Sequence, residues 1–161
     1  MNVQLKKGRD GPSTLVCIRR DGSRTWSKLH PFFPVHDLTH FSVESVLGFT
    51  EAFFGLVASG WDMDNFSQPG AAKRMGAEAV LAEAIVGVFD LERAGRGVFD
   101  EAAFNAALAE SLSGLGLPPF RIITGDELSR IRTMRGDLVS RWWSVPEGHS
   151  LEVEFPATAV V

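Results

Sequence analysis

Apolar and polar residues alternate along the first thirty positions. Val3 and Leu5, then Leu15-Val16-Cys17-Ile18, then Thr25-Trp26-Ser27-Lys28-Leu29 carry the two-residue period of strands. Asp21-Gly22, between the last two runs, supplies the positive φ angles of a tight turn. A hairpin is therefore predicted around residues 21–22, with the segment near residues 2–7 beside it. Pro31 and Pro34 lack an amide donor and push their predecessors towards extended backbone, which marks a switch from strands to helices. Beyond them Gly48 and Gly60 each follow an apolar run where a left-handed C-cap commonly sits, predicting short helices near 37–47 and 50–59. Gly55, inside the second, would let two backbones approach. Ala77, Leu81, Ala84, Ile85, Val88 and Leu91 recur at three and four, the buried stripe of a helix over 71–93 that leaves Glu78, Glu83 and Glu92 largely outside it. Asp100 is placed to cap a helix over 100–113. Thr124-Gly125-Asp126-Glu127 forms a capping box at the start of a helix running to about Trp142, with Ile123 and Leu128 as its hydrophobic staple. Leu151-Glu152-Val153-Glu154-Phe155 alternates once more and pairs most simply with the N-terminal strands. The expected fold is a single α+β domain over 1–161: a small antiparallel sheet from both chain termini packed against about five helices.

Composition narrows the function classes. At 161 residues with 45% hydrophobic content, the chain can bury one substantial core. A net charge of -4 gives no global attraction to nucleic acid or anionic lipid. Arg130, Arg132, Arg135 and Arg141 scatter around the last helix instead of forming one basic face, so a nucleic-acid partner is not expected. Arg135 falls in that helix's apolar stripe, where its stem would cover apolar surface and its head would meet a buried carboxylate. Trp142 and Trp143 cannot both face one core, which leaves one of them exposed or available to a homodimer contact. No apolar run approaches the roughly 18 residues of a membrane span and no h-region follows the N-terminal lysines, so no membrane partner is expected and a cytoplasmic location is the default. Cys17 is the only cysteine, which excludes an intrachain disulfide, and its apolar neighbours suggest a packed strand position.

The chemistry concentrates in His36-Asp37-Leu38-Thr39-His40 and the following Glu44. Two imidazoles four residues apart on a helix share a face and can hold one divalent transition metal. His36 and Glu44 stand roughly 12 Å apart along the axis, too far to grip one ion whose ligands lie about 2 Å away. One site therefore uses His36 with His40, or His40 with Glu44, and draws further ligands from His30, Asp62, Asp64 or His149. Asp62 and Asp64 are the favoured partners, because a short antiparallel helix pair could return their loop to the first helix. Nitrogen and oxygen donors together suit zinc, manganese or iron better than calcium. The reaction needing fewest assumptions is hydrolysis, in which the metal acidifies a water and Asp37 or Glu44 takes its proton. The plainer alternative is structural: Asp37 caps the helix, the histidines bond carboxylates or carbonyls, and the protein is a noncatalytic interaction or scaffold domain. No Gly-x-Ser-x-Gly elbow occurs, and Gly95-Arg96-Gly97 and Gly114-Leu115-Gly116 read as helix breaks rather than phosphate loops.

The run Pro34-Val35-His36-Asp37-Leu38-Thr39-His40-Phe41-Ser42-Val43-Glu44, with Leu47-Gly48 and Phe54-Gly55-Leu56-Val57-Ala58-Ser59-Gly60 after it, resembles a set of small uncharacterised bacterial proteins. These carry a His-Asp-Leu-x-His-Phe-x-Val-Glu helix and have no assigned activity. The resemblance implies that the helix at 37–47 carries whatever the group does. A weaker likeness to the His-Glu-x-x-His helix of zinc metalloproteases breaks down at Asp37, one methylene shorter than the general-base glutamate, and no peptidase activity is carried over.

Overall fold

A computed structural model describes residues 1–119 and 121–156, leaving the apolar tail over 157–161 outside the described residues. Strands β1 (Asn2–Lys6), β2 (Ser13–Ile18), β3 (Arg24–Leu29) and β4 (Ser150–Glu154) form one antiparallel sheet in the order β3-β2-β1-β4. The register sets Val3 opposite Cys17 and Val153, and Leu5 opposite Leu15 and Leu151. Alternation then sends Val3, Leu5, Leu15, Cys17, Leu29 and Leu151 into the core. The predicted hairpin forms: Gly22 adopts a φ of 84° and Arg19 N–H donates to Ser23 O at 2.8 Å. Cys17 is buried, and desolvation pushes its thiol up to about 12, so it serves as packing.

Seven helices occur among the described residues: α1 (Phe33–Leu47), α2 (Phe53–Ala58), α3 (Met63–Phe66), α4 (Ala71–Arg74), α5 (Ala77–Leu91), α6 (Glu101–Gly114) and α7 (Gly125–Ser144). The fold is α+β as expected, and α3 and α4 are single turns beyond the five helices anticipated. None of these helices is long and apolar enough to cross a membrane. Helix α1 begins four residues earlier than expected, because Pro34 occupies the first turn, where a missing amide costs nothing and the fixed φ suits the helix. The helix expected over 71–93 is instead interrupted at Met75-Gly76 and restarts as α5. It then runs into a π-type turn at Glu92–Arg96 that Gly95 closes with a φ of 90°. Asp100 caps α6 by accepting from Ala103 N–H at 2.8 Å, and the Thr124–Glu127 box opens α7 as anticipated.

Helices α1 and α7 run through two adjoining apolar clusters. Val43, Leu128 and Ile131 belong to one with α5 and α6, whereas Leu38, Phe41, Leu138 and Trp142 join the sheet and α2 in the other. Trp142 is buried and Trp143 exposed, as two adjacent helical positions must be. Helix α5 is apolar on most sides, burying Ala79, Leu81, Ala82, Ala84, Ile85, Val86, Val88 and Phe89. Its exposed exceptions include Glu83.

The turn leading into α2 is held by carboxylates from two other helices. Glu78 Oε2 accepts from Thr50 and Glu51 N–H at 2.7 Å each, and Glu44 Oε2 accepts from Phe54 and Gly55 N–H at 2.8 and 3.2 Å. Gly55 also permits the close approach anticipated for it, since a Cβ there would lie 2.4 Å from the Thr50 carbonyl carbon and oxygen. Gly55→Ala is expected to lower stability by about 1–3 kcal/mol, because the obstructing atoms are backbone and cannot rotate away. Urea denaturation of the variant reads this directly, and an unchanged midpoint would contradict it.

Candidate metal centre

Helix α1 presents His36 and His40 on one face, as residues four apart must be, and α5 packs beside it carrying Glu83. One ring nitrogen of His36, one of His40 and one Glu83 oxygen lie within 4.8 Å of one another. His40 Nε2 is 3.4 Å from Glu83 Oε1, about the ~3.4 Å edge of a tetrahedral site with ligand bonds near 2.1 Å. The two rings lie 4.8 Å apart between centroids and inclined by 62°. Side-chain exposure is 31% for His36 and 60% for Glu83 but 5% for His40, so the cluster has one wet side and one buried side.

Behind each imidazole stands a carboxylate. His36 Nδ1 lies 3.6 Å from Asp90 Oδ2, and His40 Nδ1 lies 3.4 Å from Glu44 Oε1. Asp90 is itself steadied by Arg93, whose Nε donates to Oδ1 at 3.2 Å. Glu44 is fully buried, and its Oε2 serves the first amides of α2, which Ala52 at the N-cap position cannot satisfy with a side chain. Its Oε1 is left facing His40, and neither that oxygen nor His40 Nδ1 makes a well-directed hydrogen bond among the described residues.

The electrostatics follow from this packing. Burial opposes charge on His40, but the carboxylates of Glu44 and Glu83 outweigh it and raise the imidazole to about 10. Burial and the neighbouring His40 hold His36 below its usual value, keeping it neutral near pH 7. The His40 imidazole, 3.4 Å away, lowers the Glu83 carboxyl against its partial burial. Asp37 is raised to about 7 by burial, against the pull of His40. For the metal-free protein the sign for His40 is clear. Its folded pKa lies above its ordinary 6.5, so its contribution to stability is complete below about pH 6.5 and is lost as pH rises towards 10. Urea midpoints of chelator-treated protein are expected to fall between pH 7 and pH 10. A midpoint rising across that range would contradict the ion triad.

Several candidates lie elsewhere. Asp37 does not cap α1, because the early helix start places it inside the helix. There it is buried, and its Oδ2 has no hydrogen-bond partner among the described residues. Asp62 and Asp64 do not join the histidine cluster. The reason is that α2 ends after six residues and Arg19 takes hold of the loop: its guanidinium pairs with Asp62 Oδ1 at 2.8 Å and donates to the Val57 and Trp61 carbonyls. Asn65 Oδ1 accepts from Asp62 N–H as α3 begins, and Asp64 is exposed. His30 stacks on Phe32, and exposed His149 lies with Nδ1 3.2 Å from the Glu147 carbonyl. Among the described residues Arg135 pairs with no buried carboxylate. Its Nε donates to Thr39 Oγ1 at 2.9 Å and its guanidinium lies over the Phe89 ring.

Glu83 and Asp90 were missed as site residues. They lie seven apart, two turns along α5, in a stretch where Gly87 is the one other residue that is neither apolar nor alanine. That isolated acidic pair on an apolar helix was the available signal. No family model, no curated protein and no solved structure matches this chain.

Proposed function

We propose that this protein binds one divalent transition-metal ion through His36, His40 and Glu83 and uses it to hydrolyse its substrate. The observation that carries the reading is the convergence of these three donors with a carboxylate behind each imidazole. Such carboxylate–histidine pairs orient ligand rings and raise their basicity in metal sites. Two nitrogens and one oxygen suit zinc, manganese or iron, which His36, His40 and Glu83 would hold at the wet edge of the cluster. The metal would supply a water acidified to near neutral pH. Glu44 acts in this reading as a positioning residue, because one of its oxygens serves the α2 amides and the other faces His40. Asp37, buried and within electrostatic range of His40 and Glu83, would accept the proton of that water.

The test is elemental analysis of protein purified without an affinity tag, followed by chelation and reloading with zinc, manganese or iron(II). Near-stoichiometric metal is expected, together with hydrolysis of activated carboxylic or phosphate esters that chelation abolishes and Glu83→Gln impairs. Equal hydrolysis by the chelated protein would overturn the metal's role, and a loaded protein inert towards both ester classes would overturn the hydrolase reading.

A second reading has its own support. Glu44 already caps α2, and His40 between two carboxylates forms a buried ion triad with no metal required. On that reading the protein is a noncatalytic interaction or scaffold domain and the cluster is structural.

A further inference from the structure

Helix α1 enters the molecule through two phenylalanines that the core does not use. Phe32 is 70% and Phe33 49% exposed. They are not isolated on the surface, because a continuous line of rings joins them to the metal centre. His30 stacks on Phe32 with centroids 5.6 Å apart and planes inclined by 28°, and it meets the edge of Phe33 at 6.3 Å. Phe33 meets His36 edge to face at 5.8 Å, and His36 in turn meets His40 at 4.8 Å. Phe33 thus packs against the half-exposed ligand His36, not against the buried ligand His40. The ridge therefore borders the side from which a substrate would reach the ion. The exposed Phe32 and Phe33 offer π surface and carry no ionisable group, which favours an arene over an ionic group. From this continuity of the exposed rings with a ligand ring we propose that the centre takes substrates in which an aromatic ring adjoins the group that binds the metal, the ring being received on Phe32 and Phe33.

This proposal rests on the metal reading, and the experiment separates the two. Zinc is first titrated into chelated protein. The zinc-loaded protein is then titrated with benzohydroxamate and with acetohydroxamate, which share one chelating group and differ in the ring. Benzohydroxamate is expected to bind roughly tenfold more tightly, the scale of one or two aromatic contacts. Phe32→Ser/Phe33→Ser is expected to abolish that preference while still taking up zinc. Absence of zinc binding in the parent would overturn the metal reading and this proposal with it. Zinc binding with equal affinity for both hydroxamates, or a preference that survives in the variant, would overturn this proposal alone. So would light scattering showing that the double substitution dissociates a dimer without altering the hydroxamate ratio, because the ridge would then be a contact between two copies of the chain.

Discussion

Glu44→Ala is expected to destabilise the protein by about 3–5 kcal/mol, the range for removing one partner from a buried charge pair. The carboxylate is fully buried, and its loss leaves the Phe54 and Gly55 amides without an acceptor and His40 without one of its two counter-charges. Each deprived group carries its own desolvation cost. Glu44→Gln separates these contributions. An amide oxygen can still receive the α2 N–H groups, so the glutamine variant is expected to lose less than the alanine variant while still losing the charge opposite His40. Urea denaturation of both variants measures the difference. A loss below about 1 kcal/mol for Glu44→Ala would show that water or a neighbouring group replaces the carboxylate with little penalty.

Zinc is expected to stabilise the folded chain by about 2.7 kcal/mol when the free ion stands at 100 times its dissociation constant. For a chain of this size that corresponds to a rise in Tm of roughly 5–10 °C. His36→Ala combined with Glu83→Ala should remove the increment. Both side chains sit at the wet edge of the cluster, so the double variant is expected to fold and to show an unshifted Tm when zinc is added. The comparison must be made at constant pH, because zinc at His40 Nε2 displaces a proton that the two carboxylates hold up to about pH 10. A zinc-dependent Tm rise that persists in the double variant would place the ion elsewhere.

Local chemistry was legible in the sequence, whereas the assembly of the site depended on contacts that periodicity does not encode. The Asp21-Gly22 hairpin, the Asp100 cap, the Thr124–Glu127 box and the return of the last strand to β1 each rest on a few adjacent residues or a two-residue alternation. The close approach at Gly55 was also readable, because a glycine inside a short apolar helix has few other uses. Reading Pro34 as a stop instead of a first-turn residue shortened α1 and turned Asp37 into a cap. The structure makes Asp37 a buried carboxylate within the helix. The face shared by His36 and His40 was visible from their spacing, but the partner acid was sought in a loop. Asp62 and Asp64 offered two ligands in one short segment, yet Arg19, forty-three positions from Asp62, holds that loop elsewhere. In the sequence Glu83 stands only as one of three glutamates largely outside the buried stripe. Only the packing of α5 against α1 turns that exposed side towards the histidines.

Equilibrium dialysis against zinc, with the bound metal counted per chain, tests the centre most directly when the parent is set beside His36→Ala, His40→Ala, Glu83→Ala and the Asp62→Asn/Asp64→Asn pair, each checked for folding by circular dichroism. One tightly held zinc is expected in the parent and in the Asp62/Asp64 variant, with loss in each of the three single variants. A parent that retains no zinc, or an Asp62/Asp64 variant that loses as much as Glu83→Ala, would contradict a centre built from His36, His40 and Glu83.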